Sequence, residues 1–140
     1  MGFELHPNLS KKILIGDLAL CRVLLENDSH YPWIFLVPRR PAISKMMDLS
    51  LSDQLQLMKE LDLSQKIMWS LFKPTQINVA AIGNKTPQLH IHVIARYTED
   101  PAWPGTVWDH PIRNPYTAEQ KDIIVNQLTD AFLPQLTSTI

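Results

Sequence analysis

The sequence has few of the features that mark secreted, membrane-spanning or disordered proteins. Cys21 is the only cysteine among 140 residues, so no internal disulfide can form, and a reducing cytoplasm is the simplest compartment. No apolar run approaches the roughly 18 residues of a membrane-spanning helix, and the N-terminus has no charged and then apolar leader. We therefore expect a cytoplasmic protein without membrane contacts.

The chain also lacks an excess of either charge. Its 13 basic and 14 acidic residues give a formal net charge of -1, which does not predict nucleic-acid binding. A small nucleotide remains possible as a ligand, because a local site can be positive inside a neutral protein. With 45% hydrophobic residues, no repeats and no internal boundary, the sequence predicts a single globular domain over residues 1–140.

Short segments rich in branched and aromatic residues predict a β-sheet of about five strands. They span residues 13–15, 18–25, 33–37, 77–82 and 88–96. Gly16 and Asp17 separate the first two segments, which predicts a hairpin with a two-residue turn. Arg39 and Arg40 follow the third segment, either as contacts for an anionic substrate or as part of a solvated loop.

Two segments predict helices. Residues 51–72 place apolar side chains near one stripe, with Ser50 or Ser52 able to cap the start and Lys73-Pro74 ending the helix. The members of that stripe are Leu51, Leu55, Met58, Leu61, Met68 and Phe72, and Leu57 and Leu71 widen it. A capping box at residues 117–120 opens a C-terminal helix of about 117–133. Between the two helices, residues 98–116 predict an irregular arm packed by tryptophans.

The segment from Gln88 to Arg96 carries the strongest functional signal. In an extended strand, alternate side chains share a face, so Leu89, Ile91, Val93 and Ala95 form an apolar row that predicts contact with a core. Gln88, His90 and His92 share the opposite face. The two imidazoles then stand roughly 7 Å apart along the strand, which suits two groups acting on one phosphate or a metal ion held between them.

Spacing alone leaves three interpretations of His90 and His92 open. The first is nucleophilic catalysis, in which one imidazole attacks phosphorus while the other steadies the phosphoryl oxygens or protonates the departing group. The second is a zinc or iron site, although Arg96 stands where a third, carboxylate ligand would be expected. The third is a pair of hydrogen-bonded histidines on a half-buried sheet face.

The wider segment resembles a known signature. Residues 83–96, read as GNKTPQLHIHVIAR, are similar to the motif of the histidine triad (HIT) superfamily, in which three histidines alternate with apolar residues after a phosphate-binding loop. Residues 35–40 resemble the family's strand and basic segment, and Trp103-Pro104-Gly105 resembles its aromatic tail. The resemblance covers roughly residues 18–108 and does not include the last helix.

The resemblance implies a role for each matching position. His90 matches the middle histidine, which is the nucleophile of the family, and His92 matches the third, which contacts phosphate oxygens or the leaving group. Gln88 stands in place of the first histidine, where it could support the phosphate or the orientation of His90. The implied substrate-binding residues are Asn84, Lys85 and Thr86 of the phosphate loop, and Asn78 near the nucleoside or the loop.

The resemblance also implies a fold and an activity. The fold is α+β, with an antiparallel sheet of about five strands, one long helix and here an additional C-terminal helix. The activity is hydrolysis or transfer at the α-phosphate of a dinucleoside polyphosphate or a nucleoside phosphoramidate. A homodimer is implied, with no cofactor except a divalent cation that could accompany the substrate.

Three positions depart from the pattern and keep alternatives open. Pro41 and Trp33, like Gln88, occupy places where many family members have histidine. These departures put the rate and the substrate in doubt more than the fold. The alternatives are a nucleotide-binding regulatory module with little or no catalysis, and a metal-binding protein that uses His90 and His92.

Overall fold

A computed structural model describes residues 2–137 as one antiparallel sheet with helices. The strands are β1 (Ile13–Asp17), β2 (Cys21–Leu25), β3 (Trp33–Pro38), β4 (Gln76–Ala81) and β5 (Ile91–Arg96), and the α-helices are α1 (Pro7–Ser10), α2 (Leu51–Phe72) and α3 (Ala118–Phe132). The order across the sheet is β1-β2-β3-β5-β4, and every pairing is antiparallel. The predicted α+β class, the five strands, the long helix and the additional C-terminal helix are confirmed.

Apolar residues cover both faces of the sheet, which explains why β3 and β5 are buried along their whole length. On one face, side chains of alternate strand residues pack against α2 and α3. The opposite face, which we call the aromatic face, carries Leu9, Leu24, Tyr31, Trp33, Phe35, Val37, Ile94 and Val107. The N-terminal segment and the arm after β5 cover this second face, so residues far apart in sequence meet there.

The predicted two-residue turn at Gly16 and Asp17 is wrong, because both residues belong to β1. The chain reverses at residues 18–20, where the Leu18 amide donates to the Cys21 carbonyl at 2.8 Å. Gly16 instead follows a bulge in the β1–β2 pairing, and a Cβ at this position would lie 2.8 Å from the Leu136 side chain. A side chain at residue 16 would have to displace the end of the Leu136 side chain, so the glycine fits a closely packed position and not a turn.

Helix α2 has the predicted bounds, but the N-terminal half of its predicted stripe is wrong. Leu51, Leu55 and Met58 are exposed, whereas the buried side chains of the helix are Leu57, Glu60, Ser64 and Met68. The helix carries apolar residues around much of its circumference, so their periodicity does not decide which face is buried. The Glu60 carboxylate determines which face is buried, because it accepts hydrogen bonds from the amides of Leu20 and Cys21 at 2.8 Å each.

Neither interpretation of the two arginines after β3 describes their contacts. The Arg39 guanidinium donates to the carbonyls of Leu18 and Ala19, at 2.7 and 3.0 Å, and so ties the turn after β1 to the end of β3. Arg40 forms a bidentate ion pair with Asp53 in the first turn of α2. Both arginines therefore connect elements of the fold.

Helix α3 begins at the predicted capping box, in which Thr117 and Gln120 each bond the main chain of the other. Its buried side chains are Ile124, Leu128 and Phe132, whereas Ile123 is exposed. Among residues 2–137, no helix has the length and apolar character needed to cross a membrane.

The Arg96–Asp100 ion pair fixes the arm that follows β5, and we expect Asp100→Ala to destabilise the protein by about 3–5 kcal/mol. Both side chains are 2% exposed and meet in two hydrogen bonds of 2.8 and 3.0 Å, so the substitution leaves a buried guanidinium charge uncompensated. Urea unfolding measures the loss. The matched control is Asp62→Ala, which removes an exposed pair with Lys66 at the same i,i+4 spacing and should cost less than about 1 kcal/mol. Equal losses in the two variants would contradict the prediction.

Candidate active site

A cleft of about 380 Å³ opens on the aromatic face, between the N-terminal segment and the loop of residues 83–87. His90 and His92 line it together with Asn84, Lys85 and Thr86 of that loop. The structure therefore gathers both predicted histidines and the predicted phosphate loop around one opening. The remaining side chains of the lining are Asn8, Leu9, Lys12, Glu26, Trp33, Phe35, Ile82, Trp108 and Arg113.

The alternation predicted for residues 88–96 is present, although β5 begins only at Ile91. Leu89, Ile91, Val93 and Ala95 all belong to the core on the helical side of the sheet. His92 lies opposite Phe35 of β3, on the aromatic face. The ring centroids of His90 and His92 are 5.0 Å apart, closer than the strand repeat of roughly 7 Å, because the two side chains lean together.

Nδ1 of His90 is hydrogen-bonded to the main chain. Nδ1 lies 2.7 Å from the Gln88 carbonyl oxygen, which can only accept, so Nδ1 carries the proton. Nε2 then holds the free lone pair, and it has no hydrogen-bond partner among residues 2–137. An imidazole held in this tautomer has a nucleophilic nitrogen, and the ring that carries it lines the cleft.

His92 is held in the opposite tautomer to His90 by a single contact. The Trp33 indole nitrogen, which can only donate, lies 3.1 Å from Nδ1 of His92, so Nδ1 is unprotonated and the proton sits on Nε2. Burial, with smaller effects of His90 and Lys12, lowers the pKa of His92 to about 3. At neutral pH His92 is therefore an uncharged hydrogen-bond donor.

Two of the predicted site residues are placed elsewhere. The Gln88 side chain, expected to support the phosphate or His90, bonds the main chain of Glu4 and His6 instead, and only its carbonyl reaches His90. The Asn78 side chain accepts a hydrogen bond of 2.7 Å from Arg96 and does not line the cleft. Asn78 pairs with Ile94, two residues beyond His92 in β5, and its side chain is taken up by Arg96 at the end of that strand.

Several residues of the cleft were not predicted. Asn8 and Lys12 come from the N-terminal segment, and Arg113 comes from the arm, where its guanidinium lies 4.9 Å from the centroid of the Trp33 ring. The Trp108 ring meets His92 edge to face, with ring centroids 4.9 Å apart. None of these residues lies near the motif in the sequence, so only the three-dimensional fold brings them to it.

The model of the HIT domain family matches residues 8–99, which is more than half of the chain. The chain belongs to the HIT family. The resemblance drawn from the motif is thereby confirmed. No curated protein sequence matches the chain.

Solved structures of HIT proteins match nearly the whole chain. A histidine triad protein from Marinobacter aquaeolei is 40% identical with a TM-score of 0.92, covering 96% of this chain and 99% of that one. Another from Bradyrhizobium japonicum is 37% identical with a TM-score of 0.90, covering 98% and 100%. The match to the Bradyrhizobium japonicum protein covers 98% of this chain and so includes α3, which means that the two HIT proteins share the C-terminal helix. The helix lies outside residues 8–99, the part of the chain that the family model matches.

Each of the two histidine rings has one nitrogen that is already engaged in a hydrogen bond. The engaged atom is Nδ1 in both rings, which leaves Nε2 of each as the nitrogen available to a ligand. Within residues 2–137, no group of three or more histidine, cysteine, aspartate or glutamate residues is arranged to hold a metal ion.

Proposed function

We propose that the protein is a nucleotide hydrolase or transferase that acts at the α-phosphate of a dinucleoside polyphosphate through a nucleotidyl-His90 intermediate. Membership of the HIT family supports the general kind of activity, a nucleotide-binding and nucleotide-hydrolysing one. The observation that carries the proposal is the tautomer of His90, which leaves its Nε2 unprotonated in a ring that lines the cleft beside the loop of residues 83–87.

The reaction has two steps. Nε2 of His90 attacks the α-phosphorus, the bond from phosphorus to the leaving group breaks, and its electron pair departs with the leaving group. The imidazole becomes cationic as the new bond forms, and the Gln88 carbonyl, which accepts from Nδ1, stabilises that charge. Water then attacks the same phosphorus and loses a proton to solvent. The bond from phosphorus to Nε2 breaks and its electron pair returns to the nitrogen, which releases the nucleoside monophosphate and restores His90.

His92 stabilises the phosphoryl oxygens in this scheme and does not supply a proton. Its Nε2–H is a preorganised donor toward the cleft, and a pKa of about 3 keeps it uncharged at neutral pH. A polyphosphate leaves as an anion whose last pKa is about 6, so it departs near neutral pH without protonation. The amine of a phosphoramidate does need a proton, and the absence of an acidic His92 therefore favours the polyphosphate.

Trapping the intermediate tests the proposal against both alternatives. Wild-type protein is mixed with diadenosine tetraphosphate in the presence of a chelator, denatured within the first turnovers, and examined by peptide mass spectrometry. We expect one nucleoside monophosphate on the peptide at His90, and none at His92. Binding without adduct or turnover would support the regulatory module, and turnover that stops with chelator and returns with zinc would support the metal site.

We also propose that the protein is a homodimer formed along β4 and α2. One edge of the sheet, β1, is covered by the chain itself, since the Thr137 amide donates to the Asp17 carbonyl at 2.8 Å. The other edge, β4, pairs only with β5 among residues 2–137. Open edges favour pairing with another chain, and exposed apolar side chains lie on β4 at Val79 and on α2 at Leu55, Met58 and Trp69.

Sedimentation of a Met58→Asp variant tests the dimer. Met58 is 62% exposed, so its replacement should leave the monomer fold intact while placing a charge in the apolar contact. We expect the wild type to sediment as a dimer and the variant to dissociate at least about tenfold more readily. The control is Ile123→Asp on α3, which is 55% exposed and lies away from β4. A wild type that stays monomeric at high concentration would exclude the dimer.

A further inference from the structure

Gln88, at the position of the first motif histidine, binds the N-terminal segment through its side chain. Its Oε1 accepts from the His6 amide and its Nε2 donates to the Glu4 carbonyl, both at 2.8 Å. A carbonyl and an amide two residues apart are the groups that an extended segment offers to a neighbouring strand. One carboxamide satisfies both, because its acceptor and donor lie side by side on the same carbon.

The anchored residues determine where the following turn of helix lies. Nδ1 of His6 accepts from the Asn8 amide at 3.0 Å, which caps α1 at Pro7. Leu9 is 2% exposed and packs into the aromatic face. A segment fixed at residues 4–6 and at Leu9 has little freedom between those points, so Asn8 is held in register with the cleft. The Lys12 amide donates to the Leu9 carbonyl at 3.0 Å, which extends the ordered main chain to Lys12.

Two polar side chains of this segment enter the cleft. The Asn8 amide nitrogen donates to the Thr86 hydroxyl at 3.0 Å and so joins the segment to the phosphate loop. The Lys12 ammonium lies 5.4 Å from the centroid of the Phe35 ring and forms an ion pair with Glu26. Lys12 and Lys85 both line the cleft, one from the segment and one from the loop, and lysine is a common ligand of phosphate groups.

We propose that Gln88 is a positioning residue for substrate binding, which acts by holding residues 4–12 so that Asn8 and Lys12 contact the phosphate chain of the substrate. The inference rests on the proposed function, because it takes a nucleoside polyphosphate as the ligand. Gln88 then has no direct part in the chemistry through its side chain. The contact that orients His90 comes from the main-chain carbonyl of residue 88, which every amino acid provides.

Steady-state kinetics with diadenosine tetraphosphate test this role. We expect Gln88→Ala to raise KM about tenfold with kcat within about threefold of wild type, since only binding groups are displaced. Lys12→Ala should raise KM similarly. If Gln88 acts through the segment, the fold increase in KM of the double variant, with both Gln88→Ala and Lys12→Ala, should be well below the product of the two single-variant increases. The matched control, Gln127→Ala on the exposed surface of α3, should change neither constant.

Amide hydrogen exchange tests the anchor without any substrate. Exchange at His6 should be at least about tenfold faster in Gln88→Ala and unchanged in Lys12→Ala. Gln88→Glu keeps the acceptor for His6 but loses the donor to Glu4, so it should fall between wild type and alanine. A wild type that neither binds nor turns over the nucleotide refutes the proposed function, while the exchange data still decide whether Gln88 holds the segment.

Two results would overturn the inference. One is a fall in kcat of about 100-fold in Gln88→Ala with KM unchanged, which would place the side chain in the chemical step. The other is unchanged exchange at His6 together with fully multiplicative effects on KM in the double variant. The latter would mean that residues 4–12 keep their position without Gln88.

Discussion

His90→Asn is expected to lower kcat/KM for diadenosine tetraphosphate by about 10⁴-fold or more, because the variant has no nucleophilic nitrogen. An asparagine amide can still donate to the Gln88 carbonyl, as Nδ1 of His90 does, so the local main chain should be undisturbed. A loss of that size corresponds to about 5.5 kcal/mol of transition-state stabilisation. Nucleotide binding should change little, since the cleft keeps its phosphate loop and its aromatic lining.

The measurement needs both turnover and binding in the same variant. Calorimetric titration with a nucleoside monophosphate should give a dissociation constant within a few-fold of wild type, which separates lost chemistry from lost folding. His110→Asn is the matched control, because its ring packs on His30 outside the cleft. If His90→Asn kept activity within about tenfold of wild type, the covalent route through this residue would be excluded.

The sequence contains enough information to predict the histidine strand and the two long helices. Alternation places Leu89 and its neighbours on one side and His90 and His92 on the other, and the structure agrees because the strand is covered on both faces. The start of α2 after its cap Ser50 and its end before Pro74 can also be predicted from the sequence, since capping and chain-breaking residues act locally. Local chemistry therefore determines these elements.

Features set by contacts between distant residues could not be predicted in the same way. The buried face of α2 follows from the bonds of Glu60 to the turn after β1, which lies about 40 residues earlier. Gly16 looked like a turn residue because its real constraint, the Leu136 side chain, comes from the other end of the chain. Gln88 likewise has its partners more than 80 residues away, at Glu4 and His6.

The cleft shows the same division between local and distant information. The motif predicts His90 and His92 as site residues, but it does not predict the contact that determines the tautomer of His92. Trp33 was visible only as a departure from a family pattern, whereas in the fold its indole donates to His92. A substitution that seemed to weaken support for the site in fact supplies a hydrogen bond that a buried imidazole requires.

The low pKa of His92 predicts that the folded protein loses stability as the pH falls. The folded state binds a proton at this ring only near pH 3, whereas in the unfolded chain an imidazole binds one near its ordinary pKa of 6.5. Between these values the unfolded state holds the extra proton, so the free energy of unfolding increases with pH by up to about 1.4 kcal/mol per pH unit. The contribution is complete above pH 6.5, and over the whole window it amounts to roughly 5 kcal/mol.

Urea unfolding of wild type and His92→Asn between pH 4 and pH 7 isolates this contribution. Asparagine can accept from the Trp33 indole and donate toward the cleft, but it does not titrate. Carboxylates that titrate in the same range do so in both proteins, so the difference between the two stability curves reports residue 92 alone. We expect wild type to be progressively less stable relative to the variant as the pH falls below 6.5. Parallel curves would mean that the ring binds protons equally in both states, and then His92 would regain the ability to act as an acid in the proposed reaction.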